Sequence, residues 1–200
     1  ILAAKGALRS GIGLLTIHLP FLNNAIVQTA VPEAMTEIDV HDTCFSAEVD
    51  TDDYQAVAIG PGLGQSRITE KALLDQLVIT TTPMVIDADA LNLLSANKNY
   101  LNKLPKESIL TPHPKELERL VGKCNTSYER LQRACELSAK ANVHIVLKGA
   151  YTAIIQPSGE VCFNTTGNPG MATGGSGDVL TGILLALLAQ GYDADSAAKI

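Results

Sequence analysis

Apolar and polar positions follow two periods along the chain, one typical of helices and the other of buried strands. From Leu180 onward the apolar residues fall three or four positions apart, which places them on one face of a helix. Short apolar runs that end at Gly, Pro or Asp indicate strands buried on both faces. The strands predicted in this way are Gly13–Leu19, Ala56–Ile59, Met84–Ile86, Ile109–Leu110, His144–Leu147, Thr152–Ile155 and Val161–Phe163. The predicted helices are Ile1–Ser10, Asn24–Ala30, Thr69–Leu77, Leu91–Leu94, Lys115–Val121, Ser127–Lys140 and a helix that opens at Ser176.

This alternation of strands and helices predicts an α/β fold, with a mostly parallel central sheet covered by helices on both faces. The two strands around Pro157-Ser158-Gly159 predict an antiparallel hairpin near one edge of the sheet. No internal repeat or linker divides the sequence, so we expect residues 1–200 to form a single domain. Both termini are helix-like, with the sequences ILAAKGALRSG and ADSAAKI. We therefore expect that both ends of the natural chain are missing from this sequence.

Composition and charge narrow the class of protein. A chain of 200 residues with 46% hydrophobic content can bury one sizeable core. A formal net charge of −6 without a basic run argues against nucleic acid or an anionic membrane as partner. The longest apolar stretch, Val179–Ala189, is too short to span a bilayer. Because Cys44, Cys124, Cys135 and Cys162 lack metal-site spacing, we expect reduced thiols in a cytoplasmic protein.

The segment Thr166–Gly182, TGNPGMATGGSGDVLTG, predicts a glycine turn that leads into the N-terminus of a buried helix. Free N–H groups and the positive end of the helix dipole favour an anion there. The predicted anion cradle consists of Gly174, Gly175, Ser176 and Gly177. A carboxylate beside a bound phosphate would repel it, so Asp178 either acts on the group that attacks the phosphorus or is a simple helix-end residue.

Four more candidate sites follow predicted strands, and each has a structural alternative. The glycine-rich segment Gly60–Gly64 is either a ligand-binding turn or an ordinary tight loop. Of Asp87 and Asp89, one is expected to cap a helix and the other could orient magnesium or a ribose. Prolines on both sides hold the backbone of His113 extended, whether its role is structural or functional. Lys148 either contacts a phosphate or lies on the surface.

Five motifs together carry a family resemblance. In chain order they are GPGLG, VIDADALNLL, ILTPHPKE, VLKGAYT and TGNPGMATGGSGDVLTG. The set resembles the ADP-dependent NAD(P)H-hydrate dehydratase family of the ribokinase-like superfamily, over a region from Leu8 to Gly191. The resemblance implies a ribokinase-like three-layer sandwich. It also implies a lyase, a hydro-lyase of nicotinamide nucleotide repair, that returns the S form of hydrated NADH or NADPH (NADHX or NADPHX) to NADH or NADPH. ADP is then the co-substrate, AMP and phosphate are products, Mg²⁺ is the expected ion, and a homo-oligomer such as a tetramer is the expected assembly.

The same resemblance suggests roles for individual residues. Gly64, His113 and Asp178 resemble contacts to the hydrated nicotinamide nucleotide, and Asp178 also resembles the catalytic acidic residue of the superfamily. The residues that resemble the adenine-nucleotide side of the site are Lys148, Gly149, Ala150, Tyr151, Thr152 and Gly177. Metal ligands are left unassigned. Family members usually begin with a further glycine segment that contributes one substrate contact, at a position before Ile1.

Two functions of other classes stay open from the residues alone. A small-molecule kinase of the same fold, acting on an alcohol such as a vitamin precursor, fits Asp178 and the glycine turn equally well. Against it stand only the Pro-His-Pro segment and the sequence GMATGG. A non-catalytic nucleotide-binding module is the other alternative, although such a module has no need of a carboxylate near phosphate.

Overall fold

Eight α-helices and eight strands make up the computed structural model, which describes residues 1–200. The helices are α1 Leu2–Arg9, α2 Asn24–Ala30, α3 Arg67–Ile79, α4 Ala88–Ala96, α5 Pro114–Val121, α6 Ser127–Ala141, α7 Ser176–Ala189 and α8 Ala194–Lys199. The strands are β1 Thr16–Leu19, β2 Met35–Ile38, β3 Val57–Ile59, β4 Met84–Ile86, β5 Ile109–Leu110, β6 His144–Leu147, β7 Ala153–Ile155 and β8 Val161–Phe163. Short 3₁₀ turns occupy Phe21–Asn23, Lys98–Lys103 and Pro169–Met171.

The main sheet has six strands in the order β3-β4-β5-β6-β7-β8. The first four strands are parallel, with Ile59 opposite Ile86 and Ile86 opposite Leu110. Strands β7 and β8 then run antiparallel to their neighbours. The structure therefore confirms both the mostly parallel sheet and the antiparallel hairpin at one edge.

Helices cover both faces of this sheet because successive side chains of a strand point in opposite directions. In β4, Met84 and Ile86 pack into a core with α3, α4, α5 and α6. Val85 lies between them and packs on the other face against α7 and α8. All three residues are fully buried, which explains why the strand is apolar at every position. The predicted layers of helix, sheet and helix are confirmed.

Helix α1 lies closely against α7 through small residues. An ideal Cβ on Gly182 would lie 1.9 Å from the Ala3 carbonyl oxygen, and one on Gly6 would lie 2.6 Å from the Val179 carbonyl oxygen. Near the start of α7, a Cβ on Gly175 would lie 2.3 Å from Cδ1 of Leu2. The glycines thus let α1 pack directly against α7 and against the turn that precedes it.

A separate two-stranded sheet forms from β1 and β2, which pair in parallel. Strand β1 is shorter than predicted, and β2 is absent from the sequence-based prediction because Met35–Ile38 includes two polar residues and forms no apolar run. A cavity of about 160 Å³ lies between the two sheets, lined by Thr16 of β1 and by Val57, Ala58 and Ile59 of β3. No helix of the protein combines the length and the apolar character needed to cross a membrane.

Candidate active site

The candidate residues meet where the parallel strands of the main sheet end. Gly60–Gly64 follow β3, Asp87 follows β4, His113 lies three residues beyond β5, and Lys148 follows β6 directly. The carboxyl ends of parallel strands lie at one edge of the sheet, which is where open α/β sheets bind ligands. The first turn of α7 reaches the same edge, since a Cβ on Gly177 would lie 3.7 Å from Oδ2 of Asp87.

The glycine turn leads into α7 as the sequence predicts. Gly175 has φ of +92°, a conformation that suits glycine, and α7 begins at Ser176 without a capping side chain. The backbone N–H groups of Gly174, Gly175, Gly177 and Asp178 have no acceptor within the protein. The N–H of Ser176 donates a long hydrogen bond of 3.4 Å to the Thr173 carbonyl oxygen. Unpaired N–H groups at a helix N-terminus are what an anion site requires, and Gly174, Gly175 and Gly177 of the predicted cradle have them, whereas Ser176 does not.

Asp178 is the third residue of α7 and is partly exposed. No hydrogen bond or ion pair from within the protein reaches its carboxylate, and it does not cap the helix. A negative charge in the first turn of a helix is favourable, so the position needs no partner to be stable. The carboxylate is therefore available to a ligand, and its catalytic role stays a prediction.

Asp87 lies at the predicted N-cap position, but its side chain and that of Asp89 make long-range contacts that the sequence did not predict. Asp87 occupies the N-cap position of α4, yet its side chain makes no capping hydrogen bond. It is 1% exposed, so it is not free to coordinate magnesium or a ribose. Its Oδ1 accepts a hydrogen bond from Nζ of Lys148 at 2.7 Å, and its Oδ2 accepts one from Oγ1 of Thr181 at 2.9 Å. Asp89 instead holds the glycine loop after β3, where its Oδ2 accepts the N–H of Gly64 at 2.9 Å.

Lys148 points inward, which rules out the surface alternative. Its side chain is 22% exposed and pairs with Asp87, while Oε2 of Glu116 lies 3.9 Å from its ammonium. A Cβ on Gly177 would lie 3.4 Å from the same ammonium. The positive charge therefore lies against the first turn of α7.

The loop Gly149–Thr152 packs beside the segment that leads to the glycine turn. A Cβ on Gly167 would lie 2.6 Å from the Ala150 carbonyl oxygen, and the Asn164 N–H donates to the Thr152 carbonyl oxygen at 2.9 Å. Tyr151 in this loop is exposed. The structure thus brings together the two stretches predicted for the adenine nucleotide, the loop at the end of β6 and the start of α7.

His113 has a clear structural role at the N-terminus of α5. Its Nδ1 accepts hydrogen bonds from the N–H groups of Lys115 and Glu116 at 3.1 and 3.4 Å. Oε2 of Glu116 accepts the N–H of His113 at 2.8 Å, which completes a capping box. The predicted extended backbone is confirmed, with φ of −80° and ψ of 167°. The ring is 43% exposed, and its contact with a hydrated nucleotide stays a prediction.

Gly64 combines a left-handed φ of +77° with open space on its side-chain face, where a Cβ would meet no atom within 4 Å. Because its N–H is already bonded to Asp89, the predicted substrate contact would use that open face or the carbonyl group. This contact also stays a prediction.

Sequence reasoning missed Thr181 and Glu116. Thr181 is fully buried one turn after Gly177, and its hydroxyl also lies 3.2 Å from the Gly177 carbonyl oxygen. The four-residue spacing from Gly177, combined with a polar residue on an apolar helix, is the signal that could have found it. Glu116 stands at the capping-box position after His113, which is a recognisable sequence signature.

Comparisons with known proteins agree on one family. A family model described as NAD(P)H-hydrate dehydratase matches residues 1–200. The ADP-dependent (S)-NAD(P)H-hydrate dehydratase of Bacillus subtilis is 37% identical over 193 residues, which cover 94% of this chain and 66% of that protein. The bifunctional NAD(P)H-hydrate repair enzyme Nnr of Moorella thermoacetica is 38% identical over 214 residues, which cover 100% of this chain and 39% of that protein. The chain thus spans about two fifths of the length of this bifunctional relative.

A solved structure extends the similarity to three dimensions. The Bacillus subtilis ADP/ATP-dependent NAD(P)H-hydrate dehydratase co-crystallised with ATP/Mg²⁺ superposes with a TM-score of 0.81 and 33% identity. The superposition covers 98% of this chain and 69% of that one. The predicted ribokinase-like sandwich is confirmed by this match and by the layers described above.

Proposed function

Because this chain belongs to the NAD(P)H-hydrate dehydratase family, we propose that it catalyses the ADP-dependent dehydration of the S form of hydrated NADH and NADPH. The products are NADH or NADPH, AMP and phosphate. The observation that carries the proposal is the first turn of α7, where the unpaired Asp178 carboxylate stands among backbone N–H groups that have no acceptor. These are the two elements that transfer of a phosphoryl group to an alcohol needs.

The nucleotide and the hydrate occupy neighbouring parts of the sheet edge in this proposal. The phosphates of ADP lie at the first turn of α7, beside Lys148 and the loop Gly149–Thr152. The hydrated nicotinamide ring lies towards Gly64 and His113, with its hydroxyl group facing Asp178. The inward direction of Lys148 supports this arrangement, since its ammonium lies against Gly177.

The proposed reaction solves a leaving-group problem. Hydroxide leaves carbon poorly, whereas phosphate leaves well. Asp178 accepts the proton of the ring hydroxyl while the hydroxyl oxygen attacks the β-phosphorus of ADP. The bond between the β-phosphorus and AMP then breaks. The N–H groups of Gly174, Gly175 and Gly177 stabilise negative charge on the transferred phosphoryl group. The ring nitrogen's lone pair then expels phosphate, and loss of a proton from the neighbouring ring carbon restores the double bond.

Magnesium fits this site as an ion carried by the nucleotide. No group of three or more His, Cys, Asp or Glu side chains is arranged to hold a metal ion. Mg²⁺ needs no such group where phosphate oxygens and water supply its ligands. When bound, the ion neutralises phosphate charge. The relative co-crystallised with ATP/Mg²⁺ supports this assignment.

The function is tested by incubating the protein with NADHX, ADP and Mg²⁺ and following the recovery of NADH absorbance. Replacing the catalytic base in Asp178→Asn should lower kcat by about 10²–10⁴-fold, because general-base catalysis contributes that much. Asp75→Asn on α3 is the control, since it makes the same chemical change away from the site. Recovery that is equally fast in Asp178→Asn would contradict the role of this carboxylate. No recovery with the wild-type protein would contradict the proposed function.

The phosphorylated intermediate has its own test. The hydroxyl oxygen of the hydrate is labelled with a heavy isotope, and the released phosphate is analysed by mass spectrometry. Transfer of the phosphoryl group to that oxygen predicts that the label appears in phosphate. Label found only in water would refute the intermediate while leaving the dehydratase activity in place.

We also propose that the protein acts in the cytoplasm as a homo-oligomer. All four cysteines are free thiols, which suits a reducing compartment. Exposed apolar side chains cluster in and before α2, at Phe21, Leu22 and Ile26, and an interface between subunits would cover them. Light scattering of the purified protein measures the assembly, and a tetramer is the expected form.

A further inference from the structure

A buried polar cluster lies beneath the first turn of α7, and it consists of Asp87, Lys148 and Thr181. The Asp87 carboxylate accepts one hydrogen bond from the Lys148 ammonium and one from the Thr181 hydroxyl. The three residues come from distant parts of the chain, 61 residues apart for the first pair and 94 for the second. The cluster therefore joins the end of β4, the end of β6 and the inner side of α7.

Asp87 and Thr181 are sealed away from ligands. Asp87 is 1% exposed and Thr181 is 0% exposed. Both oxygens of the carboxylate are occupied by protein donors. Any effect of these two residues on a ligand must therefore pass through another group, and Lys148 is the partner that is partly exposed.

The Lys148 ammonium needs a buried partner that holds it in one position if it is to bind a ligand at a fixed place. A lysine ammonium sits on four flexible carbons, and holding it in one position costs side-chain entropy. The 2.7 Å contact with Asp87 fixes it, whereas Oε2 of Glu116 at 3.9 Å is a weaker competing partner. In its fixed position the ammonium lies against Gly177, within the turn whose N–H groups lack acceptors.

We propose that Asp87 and Thr181 are positioning residues for the phosphate chain of the nucleotide. Asp87 holds the Lys148 ammonium beside the N–H groups of the glycine turn, and Thr181 holds the carboxylate that does so. The ligand in this inference, ADP, rests on the proposed function. The cluster therefore acts on the phosphates and not on the adenosine part.

The test compares the dissociation constants of ADP and adenosine by calorimetry on the whole chain. Thr181→Val removes the hydroxyl with little change in shape, whereas Thr181→Ser keeps the hydroxyl and loses a methyl group. If the hydrogen bond matters, Thr181→Val weakens ADP binding several-fold, Thr181→Ser stays close to wild type, and adenosine binding is unchanged in both. Asp87→Asn keeps an acceptor for Thr181 but removes the charge that holds Lys148, and should weaken ADP binding roughly tenfold, as hydrogen bonds to charged groups do.

A matched control is Asp195→Asn, which removes a half-buried carboxylate paired with Lys199 at 2.8 Å on α8. Asp195→Asn should change neither the affinity for ADP nor the affinity for adenosine. A larger loss in Thr181→Ser than in Thr181→Val would show that packing is the role of Thr181 and would overturn the inference. Equal losses for ADP and adenosine would overturn it as well. A wild-type protein that binds ADP but leaves NADHX unchanged would refute the proposed function alone, whereas one that does not bind ADP would refute both.

Discussion

The contact between α1 and α7 leads to a prediction for Gly182→Ala. The new Cβ would lie 1.9 Å from the Ala3 carbonyl oxygen and 2.7 Å from the Ala7 nitrogen. Ordinary van der Waals contact begins at 3.4 Å, so α1 has to retreat by roughly 1.5 Å. Both obstructing atoms belong to the backbone and cannot rotate away.

The size of the effect follows from two opposing contributions. Overpacking a tight contact typically costs about 1–3 kcal/mol, and the two backbone contacts of Gly182→Ala place it near the upper end. Alanine stabilises a helix interior by about 0.5–1 kcal/mol relative to glycine, which offsets part of that cost. We therefore expect the free energy of unfolding to fall by about 2 kcal/mol. Gly13→Ala is the control, because its Cβ meets no atom within 4 Å.

Urea denaturation followed by circular dichroism measures this change. With a denaturant slope of about 2 kcal/mol per molar urea, the midpoint for Gly182→Ala should fall by about 1 M. Displacing α1 also moves Leu2 away from Gly175, so ADP affinity should decrease in the same variant. If Gly182→Ala and Gly13→Ala denature at the same midpoint, the close helix contact does not contribute as argued.

Two further predictions concern pH. Burial works against the charged form of Asp39, but hydrogen bonds from Ser46 and His18 outweigh it and lower the pKa from 3.8 to about 2. The charged carboxylate thus contributes about 2 kcal/mol above pH 4, and this is lost as the pH falls towards about 2. The difference in unfolding free energy between wild type and Asp39→Asn should shrink by about 1 kcal/mol between about pH 7 and pH 3, and a constant difference would contradict this. Burial lowers the pKa of His144 below 6.5 although Glu107 opposes the shift, so stability is lost as the pH falls below 6.5. His144→Gln should flatten the stability profile between about pH 7 and pH 5, and an unchanged slope would refute this assignment.

The central strands of the main sheet were predictable because they are buried on both faces. A strand such as Met84–Ile86 must then be apolar at every position, and the residue after it, Asp87, marks its end. The short sheet of β1 and β2 was harder to predict. Met35–Ile38 is largely exposed, so no apolar run separates it from the loops around it.

The role of Asp87 lies beyond what local sequence can show. An aspartate between a strand and a helix satisfies every local rule for a capping residue. What decides its side-chain direction is a lysine 61 positions later and a threonine 94 positions later. Contacts over such distances depend on the packing of β4, β6 and α7 in three dimensions. The glycine turn, by contrast, was predictable because the positive φ of Gly175 and the start of α7 directly after it follow from the local sequence.

The formal charges at the site show that a phosphate must be bound by individual groups that point towards it. Lys148 is the one cation of the set, and Asp87, Glu116 and Asp178 are the anions near the same turn of α7. A phosphate chain is thus not attracted by net charge. In the proposed function, the free N–H groups of the turn and an ammonium fixed in one position would attract the phosphates, because both act at short range and in one direction. Asp87 is buried beneath the turn with its charge paired with Lys148, whereas Asp178 is partly exposed and unpaired, as the proposed function requires of the carboxylate that faces the ligand.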